Sequence, residues 1–486
     1  MTAMPTAPPT FARAAWLFLR LLGVVYFVAF CSFAVQALGL LGHDGILPAR
    51  LYMGGARAFV ASEHLGLDRF RLLPTFFWVS TSDWFLLTLC YGGAALAALL
   101  VAGVAPVPIL IALWIDYLSL SAVSREFLSY QWDAFLLEAG SIAVFVAPPV
   151  WRERWDAAVD PPRVARWLMW WLLVRLMVGS GAVKLTSGDP TWRNLTAMTF
   201  HYETQPIPTP IAWYAQRLPL AMQKASTVAV FAVELLAPWC VFGSRRWRIA
   251  GFGLLAGLQA LIALTGNYAF FNLLAGALCL FLLDDDTLGW SARLSVERAG
   301  DPSPRGSRPI ASIVFAILTV PVSLMMFLNA LGIGFVPPLV GDLAEYLAPL
   351  RSVNSYGLFA VMTTTRDEIV IEGSNDAVTW QAYEFKFKPG DVNRRPPWVA
   401  PHQPRLDWQM WFAALTTYQN APWFENFCVR LLEGSPDVLS LLAFNPFPNR
   451  PPEYIRGELY RYHYGANTWW TRERIGAYSP VVHLNP

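Results

Sequence analysis

The chain has 486 residues, of which 55% are hydrophobic and only 14% charged, with 22 Trp and a formal net charge of +2. Soluble globular chains carry about 25% charged residues, and the deficit here falls in long apolar runs, so the composition is that of a polytopic membrane protein. Basic residues are dispersed without a Lys/Arg block, which excludes a chain that tracks a nucleic-acid backbone.

The first apolar run, at about 15–41, is too long for a signal-peptide core and lacks a clear cleavage site, so it reads as an uncleaved signal-anchor helix. Further candidate spans fall at about 84–104, 106–123, 132–148, 165–183, 226–243, 247–265, 268–283 and 310–336. A crossing needs about 20 apolar residues. The third, fourth and eighth of these nine runs are short or interrupted, so about seven to nine spans are expected. Pro106, Pro108, Pro148 and Pro149 punctuate the third and fourth and would break or tilt them.

Arg13, Arg20, Arg152, Arg154, Arg163, Arg166, Arg245, Arg246 and Arg248 collect on one side of a nine-span arrangement, with Arg293, Arg298, Arg305 and Arg308 in a linker at 284–309. The positive-inside rule makes that side, and the N-terminus, cytoplasmic. Loops 42–83 and 184–225 and the tail from about 337 then share the outer face. After Leu350 the pattern changes. Residues 353–362, 367–373 and 380–388 alternate apolar and polar as strands do, 406–416 and 422–443 read as helices with a break at 434–437, and a strand pair is expected at 454–464 and 468–478. The architecture expected is a multi-pass helical domain over 1–336 followed by a small α+β extracytoplasmic domain over 337–486.

No GxSxG, HExxH, P-loop or GxGxxG signature is present. Four of five cysteines lie in apolar runs and Cys428 stands alone, so apolar packing is expected rather than a disulfide framework. With six His and no second ligand at suitable spacing, no metal site is expected. The positive signal is a set of ionisable residues inside apolar runs: Asp116, Asp133, Glu138, Arg175 and Glu234. Charges in hydrocarbon need partners or water. Asp133 and Glu138, five apart on one helix, need separate partners, and Arg175 suits one of them. Such a set serves either as packing ion pairs or as a polar cavity.

The densest polar stretch is 175–206. In it Gly179, Ser180 and Gly181 permit close helix approach ahead of Lys184, which is either a snorkelling interfacial lysine or a confined base. His201 and Glu203 offer an acid/base pair, and Asn194-Leu195-Thr196 is a sequon. Trp192, Arg193, Trp398, His402, Trp408 and Trp411, several of them around the Pro-rich run at 394–404, suit polypeptide binding; the alternative is that the rings form a core and dock the tail on the bilayer.

Five segments carry a family resemblance: SYQWDAFLLEAG (129–140), GSGAVKLTSGDPTWRNLTAMTFHYETQPIPTP (179–210), LTGNYAFFNLL (264–274), NSYGLFAVMTTTRDEIVIEGSNDAVTW (354–380) and PPWVAPHQPRLDWQMWFAAL (396–415). They closely resemble the lipase maturation factor family. The resemblance implies a multi-pass membrane protein that helps a secreted, lipase-like client polypeptide reach its folded and assembled state, in the endoplasmic reticulum for animal relatives. The Ala-, Arg- and Pro-rich, Lys-poor composition points to a bacterial inner membrane, with the tail in the periplasm. The membrane half is also similar, more faintly, to the transmembrane domain of the vitamin K-dependent γ-carboxylase family. That similarity implies an alternative: a membrane enzyme acting on a lipid, quinone or client side chain, with Lys184 as base and Asp133, Glu138, His201 and Glu203 as further catalytic candidates. The histidine-containing segment and large tail of that family are missing. No cofactor is otherwise implied, and membrane lipids and the client are the expected partners.

Overall fold

The computed structural model describes residues 9–289 and 309–484. Most of the linker at 284–309, with its four arginines, lies outside the described residues. Among the described residues nine apolar helices build the membrane half: α1 (Ala12–Ala34), α2 (Asp83–Val101), α3 (Pro106–Val123), α4 (Gln131–Val146), α5 (Arg163–Thr186), α6 (Leu220–Leu236), α7 (Arg245–Thr265), α8 (Phe271–Cys279) and α9 (Pro309–Ala330). Seven are long and apolar enough to cross a membrane, α6 with a 3-10 extension to Phe242; α4 and α8 are shorter.

Local chemistry sets the helix limits. Ser82 caps α2 by accepting the Phe85 N–H at 3.3 Å. Pro106 and Pro108 fall in the first turn of α3, where no N–H is needed, so they start the helix rather than break it. Pro148 and Pro149 follow the end of α4. The core gathers around α1, whose Phe18, Tyr26, Phe30 and Phe33 are fully buried. A Cβ at Gly93 of α2 would lie 2.3 Å from the Phe30 ring, so only glycine lets these helices meet.

Hydrogen bonds sort the loops onto two faces. On one, Arg20 pairs with Glu153 at 2.9 Å, the Phe11 N–H donates to Asp160 at 2.7 Å, Thr10 bonds Asp285 at 2.6 Å and Arg248 pairs with Asp284. On the other, Ser32 accepts the Gln403 N–H at 2.8 Å, Arg430 donates to Gly45 O at 2.9 Å and Arg217 to Gly465 O at 2.6 Å. Loops 42–83 and 184–225 therefore both touch the tail. The short α4 and α8 join the same two faces: each begins beside the tail and ends at the arginine-rich side.

The C-terminal part is an α+β domain. Strands β1 (Arg366–Ser374), β2 (Gln381–Ala382), β5 (Tyr454–Tyr464) and β6 (Trp470–Ala477) form an antiparallel sheet in the order β2-β1-β5-β6; β3 (Glu384–Phe385) pairs with β4 (Leu442–Phe444). Helices α10 (Arg405–Ala414), α11 (Pro422–Glu433) and α12 (Pro436–Leu439) complete it. Gly434, at φ +69°, ends α11, and Ser435 caps α12. Ile369 and Ile371 of β1 are fully buried in the domain core.

One expected strand is wrong. Residues 353–362 form no strand; they run as an irregular segment against α4 and α5. Side chains replace the missing ladder partners. The Asn354 N–H donates to Glu138 at 2.9 Å, that of Gly357 to Gln131 at 3.2 Å, and that of Met362 to Asp189 at 2.5 Å. Asn354 and Tyr356 turn to the membrane half, whereas Ser355 is exposed.

Candidate functional site

Asp133 and Glu138 sit on α4 a little over one turn apart and face different neighbours. Asp133 is fully buried and held bidentately by Arg405 of α10, at 2.9 Å to each oxygen, while the Tyr117 hydroxyl donates to it at 2.5 Å. The same guanidinium donates to Phe127 O at 2.5 Å. Glu138 pairs with Arg175 of α5 and accepts from the Asn354 N–H, the Asn354 side chain at 3.2 Å and the Tyr356 hydroxyl at 2.7 Å. Both carboxylates are thus closed by residues of the C-terminal part. Asp116 stays apart; its buried Oδ1 has no hydrogen-bond partner among the described residues.

Lys184 lies near the end of α5. Gly179 lets the Tyr356 carbonyl approach to 3.1 Å of where a Cβ would be, and Gly181 brings Leu235 of α6 to 2.7 Å of its own. That contact sets Glu234 against Lys184. Nζ donates to both Glu234 oxygens at 2.9 and 2.7 Å and to Ser180 O at 3.2 Å, and both residues are buried. The Trp192 ring lies 5.4 Å from Nζ. The Lys184–Glu234 pair borders a cavity of about 590 Å³ between α5, α6, α7 and the short helix Met198–Thr204. Asp133, Glu138 and Arg175 do not line it, so the paired ionisable residues form three separate centres, with Asp116 outside all of them. All three N–H donors of Lys184 are engaged, and freeing it would leave Glu234 without a countercharge, which is unlike a confined base.

His201 and Glu203 are likewise parted, because two residues on a helix point almost oppositely. Glu203 accepts from His463 Nδ1 and the Tyr464 N–H, both at 2.9 Å, and so ties the short helix to β5. His201 borders the cavity; its Nε2 lies 3.4 Å from the Tyr268 hydroxyl, which itself donates to Gln205 at 2.8 Å. Burial, and to a lesser degree the Lys184 ammonium, push the imidazole down to about 4.

A second cavity of about 530 Å³ lies where the two parts of the chain meet. It is lined by Tyr130 and Trp132 at the start of α4, by Trp408, Trp411 and Phe412 of α10, and by 357–361. Tyr268 and Phe359 line both cavities and cross at 5.8 Å, forming a wall between them. The polypeptide-binding candidates divide accordingly. Trp408 and Trp411 are buried yet line this second cavity, Trp411 with its indole N–H on Thr204 O at 2.9 Å. Trp192 is 1% exposed and bonds Phe359 O at 3.0 Å, so it presents no outer surface. His402 bonds Ser32 at 2.9 Å; burial, then the charges of Arg405 and Lys386, push it down to about 4. Trp398 and Arg193 are exposed. Among the described residues no His/Cys/Asp/Glu group is gathered as a metal would need.

Several residues escaped the sequence reading. Arg366, fully buried, donates to the carbonyls of Glu203, Gln205 and Pro206 and pairs with Glu368 at 2.8 Å. Asn267 donates to Ile207 O and Pro397 O and accepts from the Val399 and Ala400 N–H groups. Asn267 is a lone polar residue in an apolar motif, which is a readable signal; Arg366 stands in a polar run beside Glu368 and gives none.

Residues 13–290 match the lipase maturation factor transmembrane domain and residues 352–480 the lipase maturation factor C-terminal domain. The chain is similar to lipase maturation factor 2 of Gallus gallus, 35% identical over 97% of this chain and 82% of that protein. It is similar also to lipase maturation factor 1 of Mus musculus and of Homo sapiens, each 35% identical over 98% of this chain and 88% of theirs. No solved structure matches.

Proposed function

The chain belongs to the lipase maturation factor family, and on that premise we propose that it assists the folding, maturation or assembly of secreted client proteins of the lipase class. The observation that carries this reading is the near full-length similarity to proteins that bear that name, covering both the membrane half and the C-terminal domain. The client contacts the aromatic cavity at the junction. Its rim carries Val361, Phe412 and Leu415, 66%, 42% and 46% exposed, and exposed apolar residues around an aromatic pocket suit an apolar segment of a client.

The arginine-rich face is cytoplasmic and the C-terminal domain extracytoplasmic, in keeping with the positive-inside rule. The composition supports a bacterial inner membrane, with the domain in the periplasm. A reporter enzyme active only outside the cytoplasm, fused after Pro486, should be active; an inactive fusion, with a cytoplasm-active reporter working at the same site, would reverse the orientation.

Co-expression of the full chain with a secreted lipase, in a host lacking its own maturation factor, tests the function. Secreted lipase activity should rise, and Phe412→Ala with Leu415→Ala should cut the gain at least threefold without lowering the thermal midpoint. No gain over an empty vector sinks the proposal. Deleting the tail is a poorer test, since it would strand Asp133 and Glu138.

A further inference from the structure

The cavity beside Lys184 is graded like one leaflet of a bilayer. It follows α7 from Gly253 to Thr265, about 18 Å of helix rise, against a hydrocarbon core of about 30 Å for two leaflets. At the end nearest the C-terminal domain the lining is polar, with His201, Tyr202, Ser226, Thr265 and Tyr268. Further along α7 the walls are largely apolar, with Leu176, Met177, Val233, Leu254 and Leu258, broken by Gln259 and by the Lys184–Glu234 pair. Leu254 and Leu261, at the edge of the cavity, are 51% and 62% exposed, so it opens between α6 and α7 on the surface these spans turn to lipid.

Two glycines make the space. Gly253 and Gly257 lie one turn apart on α7 and line the cavity, and a Cβ at either would meet nothing within 4 Å. Their missing side chains leave room and do not serve helix contact.

We infer that this cavity binds an acyl-chain lipid from the leaflet on the side of the C-terminal domain. The chain lies toward Gly253, and an uncharged head bearing hydroxyl or ester groups lies toward His201 and Tyr202. The absence of head charge follows from Lys184. Its three donors are engaged by Glu234 and Ser180, so the pair is neutral as a unit and offers no fixed charge to a phosphate. The remaining polar lining can hydrogen-bond without selecting a charge. Mostly apolar walls with a few convergent polar groups, at about 590 Å³, are what a small-molecule site requires.

The test uses the full-length protein in nanodiscs and a diacylglycerol carrying a diazirine in its acyl chain. Photolysis should place adducts on peptides from α6 and α7, competed by unlabelled diacylglycerol. The double variant Gly253→Leu/Gly257→Leu should lose at least tenfold of that labelling while keeping its elution volume and thermal midpoint. Val230→Trp fills the same space from α6 and should lose labelling similarly, which guards against a folding defect in the first variant. Labelling spread evenly over α2, α9 and the other lipid-facing helices would overturn the site. Labelling unchanged in both filled variants would do the same. Stronger competition by phosphatidylglycerol would overturn the uncharged head, and stronger competition by a quinone would overturn the acyl-chain assignment. None of these readouts depends on lipase activity.

Discussion

The two carboxylate centres on α4 and the Lys184–Glu234 pair on α5 and α6 begin from the same problem, a charge inside an apolar bundle. Asp133 and Glu138 are buried and held by donors from both parts of the chain, Tyr117 and Arg175 from the bundle and residues 354–356 and 405 from the C-terminal part. Lys184 and Glu234 satisfy one another and border an open cavity. The first arrangement fixes how the C-terminal part seats on the membrane half. The second holds one wall of a void in place. Ion pairing in this bundle therefore does two jobs, told apart by what lies beside the pair.

Substitutions separate the two kinds of pair. The largest effect is expected for Arg405→Met, which leaves Asp133 buried and uncompensated at a cost of about 3–5 kcal/mol. Adding Asp133→Leu should recover most of the loss in thermal midpoint, measured in detergent. A single variant as stable as the double would refute the closed-centre view.

Next in size is the response to acid. His201 borders the cavity and His402 sits in the closed junction, and both are held down to about 4 by burial and nearby cations. In the unfolded chain each titrates near 6.5. The unfolded state thus binds more protons between those values. The contribution of each ring to stability is full above about pH 6.5, falls as pH drops toward 4, and levels below it, by up to about 3 kcal/mol per ring. His402→Gln should flatten the slope of thermal midpoint against pH; an unchanged slope would remove His402 from this account.

Lys184→Met should cost less than Arg405→Met, about 1–2 kcal/mol, because the Glu234 side chain borders open space and can turn toward the polar lining of the cavity, whereas Asp133 is enclosed by its donors. Equal losses at the two positions would erase the distinction between closed and cavity-side pairs. Smallest is Trp411→Phe, which removes the bond to Thr204 O and should cost about 1 kcal/mol. A larger loss would mean that the second cavity is itself structural.

How much was legible in advance follows from the range of each interaction. The spans were readable because hydrophobic runs declare themselves locally, and so were α10, α11 and the β5–β6 pair. The Arg175–Glu138 pairing was also within reach, since a buried charge on one span needs an opposite charge on a neighbour. Arg405 was not, because nothing local distinguishes an arginine that crosses 272 positions to reach Asp133. Residues 353–362 misled because alternation reports two chemically different sides without saying that one of them is another protein segment. His201 and Glu203 looked like a pair only while their short helix was read as a loop. The five motif segments that carry the family resemblance meet at one junction, through Arg405 on α4, Asn267 on Ile207 and on 397–400, and Asn354 on Glu138.

Arg405 also imposes an order on biosynthesis. Asp133 enters the bundle 272 residues before its partner is made, and at about 5–20 residues per second that interval lasts roughly 14–54 s. Through it the loops around α4 stay unsealed, with a carboxylate exposed to water or to other membrane components. The bundle closes only once α10 has been made, so ribosomal stalling or termination before Arg405 yields an inserted but unlatched species. Such a species is what membrane quality-control proteases would meet first.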